Sequence, residues 1–600
     1  MERGGRSRSG SPFPCCSRDD GAMAGLLALV AARLQPAFDR LEPGADPVLR
    51  PSGQPGVDFQ ANGALALAKR VGRPPADLAA EIVATASLGE ICTKVEASPK
   101  GFVNLTLDDG WLAATLAATA ADPRLGRCLA ERSLTVVVDY SSPNLAKEMH
   151  AGHVRTTIIG DALCRLYADA GHRVIRENHV GDWGTQFGML IEYLLESGDA
   201  GREALSLGDL EGFYRQARAA FDASEELQDR SRSRVVLLQS GDPDTVALWR
   251  QYVDLSVAHF TSVYHRLGVL LQPEDVVGES FYNDLLPVVV AELEDKGLLV
   301  ESEGARCVFP PGFANREGQP LPLIVQKSDG GYNYATTDLA ALRDRFGRLG
   351  ADVAVYVVGA PQALHFQMVF AVGRLAGWIP EGKEPVHVMF GSMLGADRKM
   401  FKTRAGDVVK LAELVDEAVE RAAAAVAAKS PDLPDGEAQV VAEAVGVGAV
   451  KYADLSTDRA RDYVFDWDRM LAFDGNTAPY LQYAHARIRS IFRRAGLDAA
   501  GLLAGAAAPP VLASPAERDL AVALLDFDTA VAATIGTDSP HKLCSYLFDL
   551  AGVFTAFYES CPVLRAPAEV RDGRLLLCAH TAGVLSAGLG LLGITAPERM

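Results

Sequence analysis

The sequence predicts a multidomain α/β protein: an N-terminal α+β domain, a Rossmann-like doubly wound domain with insertions, and a C-terminal all-α domain. Three observations predict it. The chain has 600 residues, more than one hydrophobic core serves, so three or four domains are expected. From about 130 to 445 strand-like runs alternate with helical ones, the pattern of a parallel sheet covered on both faces. From about 446 strand signals stop and helical periodicity remains.

Residues 1–22 are rich in Arg, Ser, Gly and Pro and are expected to be disordered. Asp19 and Asp20 speak against a transit peptide, and Met23 offers an alternative start. The apolar run 22–32 has the look of a signal segment. Yet Leu27, Val30, Leu34, Phe38 and Leu41 continue at helical spacing, so it reads as the first amphipathic helix of a domain over 23–125. Residues 74–88 read as a second helix, 101–107 as a period-2 strand and 110–121 as a closing helix.

In the second domain, 126–445, residues 134–140 read as a strand. Residues 154–170 read as a helix ended by Gly171, a usual residue just past a helix C-terminus. Further strands are expected over 173–180, 354–359 and 387–390. Residues from about 196 to 330 break the rhythm with long charged helices and a β-rich stretch, 298–310 and 321–326, and read as an insertion. The helical domain, 446–600, contains a segment rich in Ala, Gly and Pro, 499–515, expected to be a surface linker. Gly588 to Gly593 matches a dinucleotide fingerprint by pattern only. No strand precedes it and seven residues remain, so it reads as a helix tail.

Hydrophobic residues make up 48% and charged residues 22%, values of a soluble globular protein. The formal charge of −19, from 58 basic and 77 acidic residues, speaks against a dedicated nucleic-acid-binding protein. A local basic face still coexists easily with an acidic whole. The nine cysteines are scattered without a Cys-x-x-Cys pair, so neither a disulfide framework nor a zinc site is readable, which fits a reducing compartment. No apolar run approaches the roughly 18 residues that span a bilayer, and no membrane association is expected.

Chemistry concentrates between Val136 and Gly184. A β-branched strand ends in a polar turn, which feeds His150-Ala-Gly-His153 at the start of a long helix. A helix N-terminus has unpaired N–H groups and the positive end of the dipole, so two imidazoles and a small residue there make a seat for a nucleotide phosphate. The layout suggests activation of a carboxylate by ATP. A metal reading of His-x-x-His fails for lack of a third ligand at suitable spacing. By itself the tetrapeptide is equally a pair of helix-terminal histidines without a ligand.

The surrounding stretches are more specific. Tyr140-Ser-Ser-Pro-Asn-Leu-Ala-Lys-Glu-Met-His-Ala-Gly-His153 and Glu177-Asn-His-Val-Gly-Asp-Trp-Gly-Thr-Gln-Phe-Gly188 resemble class I aminoacyl-tRNA synthetases, and specifically the arginyl-tRNA synthetase family. Lys327-Ser-Asp-Gly-Gly-Tyr-Asn-Tyr-Ala-Thr-Thr-Asp-Leu-Ala340 resembles its substrate loop, and Phe401-Lys-Thr-Arg-Ala-Gly406 its second signature. Asn476-Thr-Ala-Pro-Tyr-Leu-Gln-Tyr-Ala-His-Ala-Arg487 resembles the opening of its helical anticodon-binding domain, and Glu598-Arg-Met600 its C-terminus. The resemblance covers roughly 23 to 600. It implies ATP-dependent activation of L-arginine and transfer to the terminal adenosine of tRNA(Arg). Mg²⁺ would accompany ATP with no metal held by the protein, and the enzyme would be a cytoplasmic monomer whose first domain contacts tRNA.

By the resemblance, His150, Gly152, His153, Lys402 and Arg404 serve catalysis, and His150, His153, His179, Met393 and Lys402 bind ATP. The second signature departs from its usual Lys-Met-Ser-Lys-Ser form: Thr403 stands where the second lysine is expected. Lys147, ahead of His150, is expected to supply part of the missing charge. A guanidinium is planar and always charged, so it is held best by carboxylates. Asp338 and Glu279 are the expected anchors, with Tyr334 as an aromatic face. Ser142, Asn144, His153 and Gln362 complete the arginine site by resemblance. Asp139 either joins it or orients the turn, and Asp338 also sits where a helix N-cap would. For tRNA, Asn476, Tyr480, Arg487 and Met600 are expected contacts. Arg487, Arg489, Arg493 and Arg494 form a basic cluster suited to phosphates or a plain solvated face.

Two alternatives accompany this reading. One is another enzyme on the same fold, such as a nucleotidyltransferase or a synthetase for cysteine or glutamate. The other is a non-catalytic tRNA-binding relative. The acidic pocket residues and the C-terminal helical domain disfavour the first, and the intact His150, His153, Asp338 and Gln362 disfavour the second.

Overall fold

Four parallel strands form the sheet that positions the site. In a computed structural model, which describes residues 25–145, 147–206, 210–395, 397–399, 409–505 and 509–600, their order is Glu384–His387, Val353–Tyr356, Thr135–Asp139, Arg173–Glu177. The chain therefore runs outward from Thr135–Asp139 in one direction, then returns to its other side. This reversal makes a crevice at the carboxyl ends of Thr135–Asp139 and Val353–Tyr356, where doubly wound sheets bind ligands.

The run Val136-Val-Val138 is buried on both faces, as a central parallel strand requires. Val136 and Val138 share a core with Ile158 and Leu163 of the helix Val154–Asp169. Val137, Ala354 and Tyr356 pack with Leu339 of the helix Tyr334–Gly347 and Val369 of the helix Ala363–Leu375. The expected strands and helices of this domain are present with ends shifted by a few residues. The largest shift is the last strand, expected at 387–390, which ends at His387.

The insertion is helical over Thr185–Ser206, Leu210–Ala223, Glu225–Gln239 and Pro243–Leu267, then carries a three-stranded antiparallel sheet, Val300–Ser302, Ala305–Val308 and Leu323–Gln326. The N-terminal domain begins with the helix Leu26–Asp39, which buries Val30, Leu34 and Phe38 as its spacing predicts. Its sheet is antiparallel, in the order Leu49–Pro51, Phe59–Ala61, Val103–Leu107, Cys92–Ala97; only Val103–Leu107 was expected.

The expected boundary near 446 falls inside the helix Asp435–Leu455, which packs along Leu411–Lys429. A two-stranded parallel sheet, Met393–Leu394 with Tyr463–Val464, stitches the second domain to the third. Lys451 is fully buried there and donates to the carbonyls of Leu267 and Gly593, 2.8 and 2.7 Å away. Among the described residues one helix, Ala568–Leu591, is apolar and long enough to cross a membrane, which the run-length reading missed. Most of it is buried inside the protein. Gly588 and Gly590 lie in its last turn, as the helix-tail reading expects.

Candidate active site

The turn after Thr135–Asp139 is held in an unusual conformation. Ser141 and Ser142 both have positive φ, 73° and 49°, which costs non-glycine residues energy unless the surroundings fix them. The surroundings do so. Ser141 N–H donates to Thr156 Oγ1 (3.0 Å), its hydroxyl meets Tyr264 and Thr157, and Ser142 N–H donates to Asn178 Oδ1 (2.9 Å). Tyr264 comes from the last long helix of the insertion, so the insertion braces this turn.

His150-Ala-Gly-His153 forms a single 3₁₀ turn leading into Val154–Asp169. His150 Nδ1 accepts the Gly152 N–H at 3.0 Å, and His153 Nδ1 accepts the His150 N–H at 3.2 Å. The ring centroids are 4.0 Å apart. Gly152 is required by this packing: a Cβ there would lie 2.8 Å from His150 Cε1. Burial, with the charge of Lys147, lowers the His150 pKa, and burial with His150 lowers that of His153 to about 4. Both rings are therefore neutral at pH 7, with Nδ1 accepting and Nε2–H available as a donor.

The segment following the second signature is clamped to this turn. Ala151 N–H donates to Val409 O and Leu411 N–H to Met149 O, both 2.8 Å, and Lys410 pairs with Glu148 at 2.9 Å. Lys402 and Arg404, like Thr403, lie outside the described residues. Lys147 sits with its ammonium 4.8 Å from the centroid of the Tyr214 ring.

A cleft of about 440 Å³ opens at the reversal point, lined by Asp139, Ser142, Asn144, His179, Glu279, Tyr334, Asp338 and Gln362, along with Thr337, Val358, His365 and Phe366. Strand ends supply Asp139 and the Ser142 turn, the 3₁₀ segment Glu279–Leu285 supplies Glu279, and two helix starts supply Tyr334, Asp338 and His365. Asn333 caps Tyr334–Gly347, its Oδ1 accepting the Ala335 N–H, so Asp338 is not the cap and its carboxylate faces the cleft. Glu279 has its pKa raised, by burial foremost. His179 pulls the other way, and the charges of Asp182 and Asp338 add to the rise.

Several expected residues have partners of their own. Asp139 lines the cleft, but its Oδ2 takes Arg345 Nη2 at 2.8 Å and its Oδ1 the Ser142 hydroxyl at 3.0 Å, so its charge is committed. Arg345 also binds Glu177, at 2.6 Å. Burial opposes its charge, yet Asp139 and Glu177 outweigh that and hold it well above the ordinary value. Asp139 thus orients the turn, as the other branch of the reading has it. His179, expected at ATP, stands among the cleft carboxylates, its ring 5.5 Å from Tyr282. His153, expected at arginine, is not among the residues lining the cleft. Met393 is buried, its sulfur accepting the Tyr463 O–H. Sequence reading missed His365, Arg345 and Lys410. His365 stands one turn past Gln362, the one signal that would have found it.

In the helical domain Asn476 Oδ1 accepts the Tyr452 hydroxyl, Tyr480 stands 5.7 Å from Phe548, and the Arg487 guanidinium lies 4.6 Å over Tyr558. Met600 packs against the core of Ala422, Val426, Val441 and Val445. Arg489 and Arg493 are bound to Glu598, through its carboxylate and its carbonyl, which makes them partly structural. A larger cavity, about 990 Å³, opens in this domain among Leu497, Pro510, Val511 and Leu564. No histidine and none of the expected site residues line it.

The model of tRNA synthetases class I (R), catalytic domain, matches residues 117–467. The chain belongs to the arginyl-tRNA synthetase family. The Arginyl tRNA synthetase N terminal domain matches 26–107 and the DALR anticodon binding domain 481–600. The chain is 53% identical over 573 residues to an arginine–tRNA ligase of Thermobifida fusca (strain YX), covering 95% of this chain and 98% of that one. It is 50% identical over 544 residues to the Escherichia coli (strain K12) arginine–tRNA ligase, covering 90% and 94%. The fold matches the arginyl-tRNA synthetase crystal structure from Plasmodium falciparum with a TM-score of 0.82 at 30% identity, covering 96% of this chain and all of the other. The Thermus thermophilus arginyl-tRNA synthetase matches with a TM-score of 0.80 at 27% identity, with the same coverage.

Proposed function

We propose that the cleft at the reversal point is the arginine site of an arginine–tRNA ligase, with ATP seated against the His150–His153 turn. The activity is that of the family: L-arginine is activated by ATP to arginyl-adenylate and transferred to the 3′-terminal adenosine of tRNA(Arg), releasing pyrophosphate and AMP. The observation that carries the site assignment is the pair Glu279 and Asp338 in one cleft with Tyr334, a set suited to a guanidinium.

In the first step the arginine carboxylate oxygen attacks the α-phosphorus. The new P–O bond replaces the bond to the β-phosphate, which leaves as pyrophosphate. The neutral His150 and His153 donate Nε2–H to the phosphate oxygens as charge builds on them, and the start of Val154–Asp169 adds its N–H groups. Lys147, Lys402 and Arg404 supply positive charge. Mg²⁺ enters with ATP as part of the nucleotide substrate. In the second step the adenosine 2′-hydroxyl attacks the adenylate carbonyl and AMP departs. Catalysis is positioning and electrostatics rather than covalent work by the protein.

Asn476, Tyr480, Arg487 and Met600 would contact tRNA, with the helical domain reading the anticodon. A reducing, cytoplasmic setting is what the free cysteines support, and a monomer is what the family resemblance implies. ATP–pyrophosphate exchange with each amino acid, with and without tRNA, tests the whole reading. Exchange with arginine alone supports it; exchange with another amino acid, or with none, overturns it.

A further inference from the structure

Asp338 has a partner in the cleft. His365 Nε2 lies 2.6 Å from Asp338 Oδ2, a short contact of the kind a charged acceptor makes. Asp338 belongs to the helix Tyr334–Gly347 and His365 to the first turn of Ala363–Leu375, and these helices pack together on one face of the sheet. The two side chains are 18% and 13% exposed. The His365 ring is fixed from two further sides, with ring centroids 4.9 Å from Tyr334 and 5.3 Å from Phe366.

A lone aspartate rotates broadly about its last torsion. With Oδ2 engaged by an imidazole N–H whose own ring is wedged, the carboxylate plane is set and Oδ1 is left for a ligand. A recognition group held this way before the substrate arrives spares the ordering cost on binding.

We infer that His365 is a positioning residue for arginine recognition: it fixes the Asp338 carboxylate in the orientation that receives the guanidinium. This rests on the reading of Asp338 as a guanidinium anchor. It predicts a signature on arginine KM, because His365 acts on an orientation needed equally in ground and transition states.

The test is ATP–pyrophosphate exchange in the presence of tRNA(Arg), varying arginine and ATP separately, for H365L, H365Q, D338N and the double variant H365L/D338N. H365L keeps bulk without a donor; H365Q restores an N–H near the same place. H365L raises arginine KM by roughly tenfold, with kcat and the KM for ATP within about twofold. H365Q recovers most of the loss. D338N raises arginine KM by roughly a hundredfold, and adding H365L to it costs less than about twofold more. Equal arginine KM in H365L and H365Q, a matching rise in the KM for ATP, or additive effects in the double variant overturn the inference. Unchanged arginine KM in D338N overturns the anchor reading itself, which separates the two failures.

Discussion

Arg155 and Asp454 form an ion pair sealed from solvent between two domains: Nε to Oδ1 is 3.1 Å, and the side chains are 2% and 0% exposed. Arg155 follows the His150–His153 turn by two residues, and Asp454 is the penultimate residue of the helix Asp435–Leu455. Its partner's Nη1 and Nη2 also donate to the carbonyls of Arg461 and Arg459. Burial raises the Asp454 pKa and Arg155 opposes that rise. Asp454→Ala strands a buried cation and is expected to cost about 3–5 kcal/mol. The thermal midpoint of the purified variant checks it; an unchanged midpoint would remove the pair from the account of how the domains are joined.

Glu279 is expected to govern the acid limb of arginine binding. Its raised pKa means that the carboxylate starts to protonate at a higher pH than an exposed glutamate, and a guanidinium needs the ionised form. Arginine KM is therefore expected to rise as pH falls through that raised value. Glu279→Gln should lift arginine KM by about a hundredfold at pH 7.5 and flatten its acid dependence. A steep acid limb that persists in the variant would assign it to another group.

The imidazoles at the helix start should act on turnover. His150→Ala is expected to lower kcat for exchange by about 100- to 1000-fold, the usual loss of one donor aimed at developing charge. Since the His153 pKa is lowered to about 4, protonation of His153 should not limit kcat between pH 6 and 8. A kcat that tracks an imidazole of ordinary pKa and loses that dependence in His153→Gln would contradict its assigned state.

Lys147 should matter twice over. Its charge is the second cause, after burial, of the low His150 pKa, and it is expected to support the phosphates where Thr403 replaces a lysine. Lys147→Ala should slow exchange by about tenfold. An intact exchange rate would end the idea that Lys147 makes up for the altered signature.

His580 gives a stability prediction. It is fully buried in Ala568–Leu591, neither ring nitrogen has a hydrogen-bond partner among the described residues, and burial lowers its pKa from 6.5 to about 4. Below pH 6.5 the unfolded chain takes up a proton there that the folded chain refuses. Stability is thus full above 6.5 and falls as pH drops toward 4. His580→Leu should flatten the thermal midpoint across pH 5–7; an unchanged slope would trace the acid loss elsewhere.

The sheet and its flanking helices were legible because Val136–Val138 and Val353–Tyr356 are apolar on both faces, and Gly171 marks a helix end. Short strands such as Leu49–Pro51 and Met393–Leu394 were not, because two or three residues carry no period. Glu279, Tyr334 and Asp338 meet as the sequence reading expects. Asp139 illustrates the limit: its residue type suits a guanidinium, and it does bind one, but that guanidinium belongs to Arg345, 206 residues away. No local pattern reports such a partner. For His365 the spacing one turn past Gln362 points to the cleft, but its partner Asp338 shows only once two helices pack together.

The order of the central sheet also dictates how the chain emerges from a ribosome. Thr135–Asp139 finds a partner early in Arg173–Glu177, but its other edge pairs with Val353–Tyr356, more than 200 residues later. At about 5–20 residues per second that is about 10–40 s of synthesis. During that interval the strand carrying the Ser142 turn has one open edge and half a crevice. The insertion, whose Tyr264 hydrogen-bonds that turn in the folded protein, is synthesised within that interval.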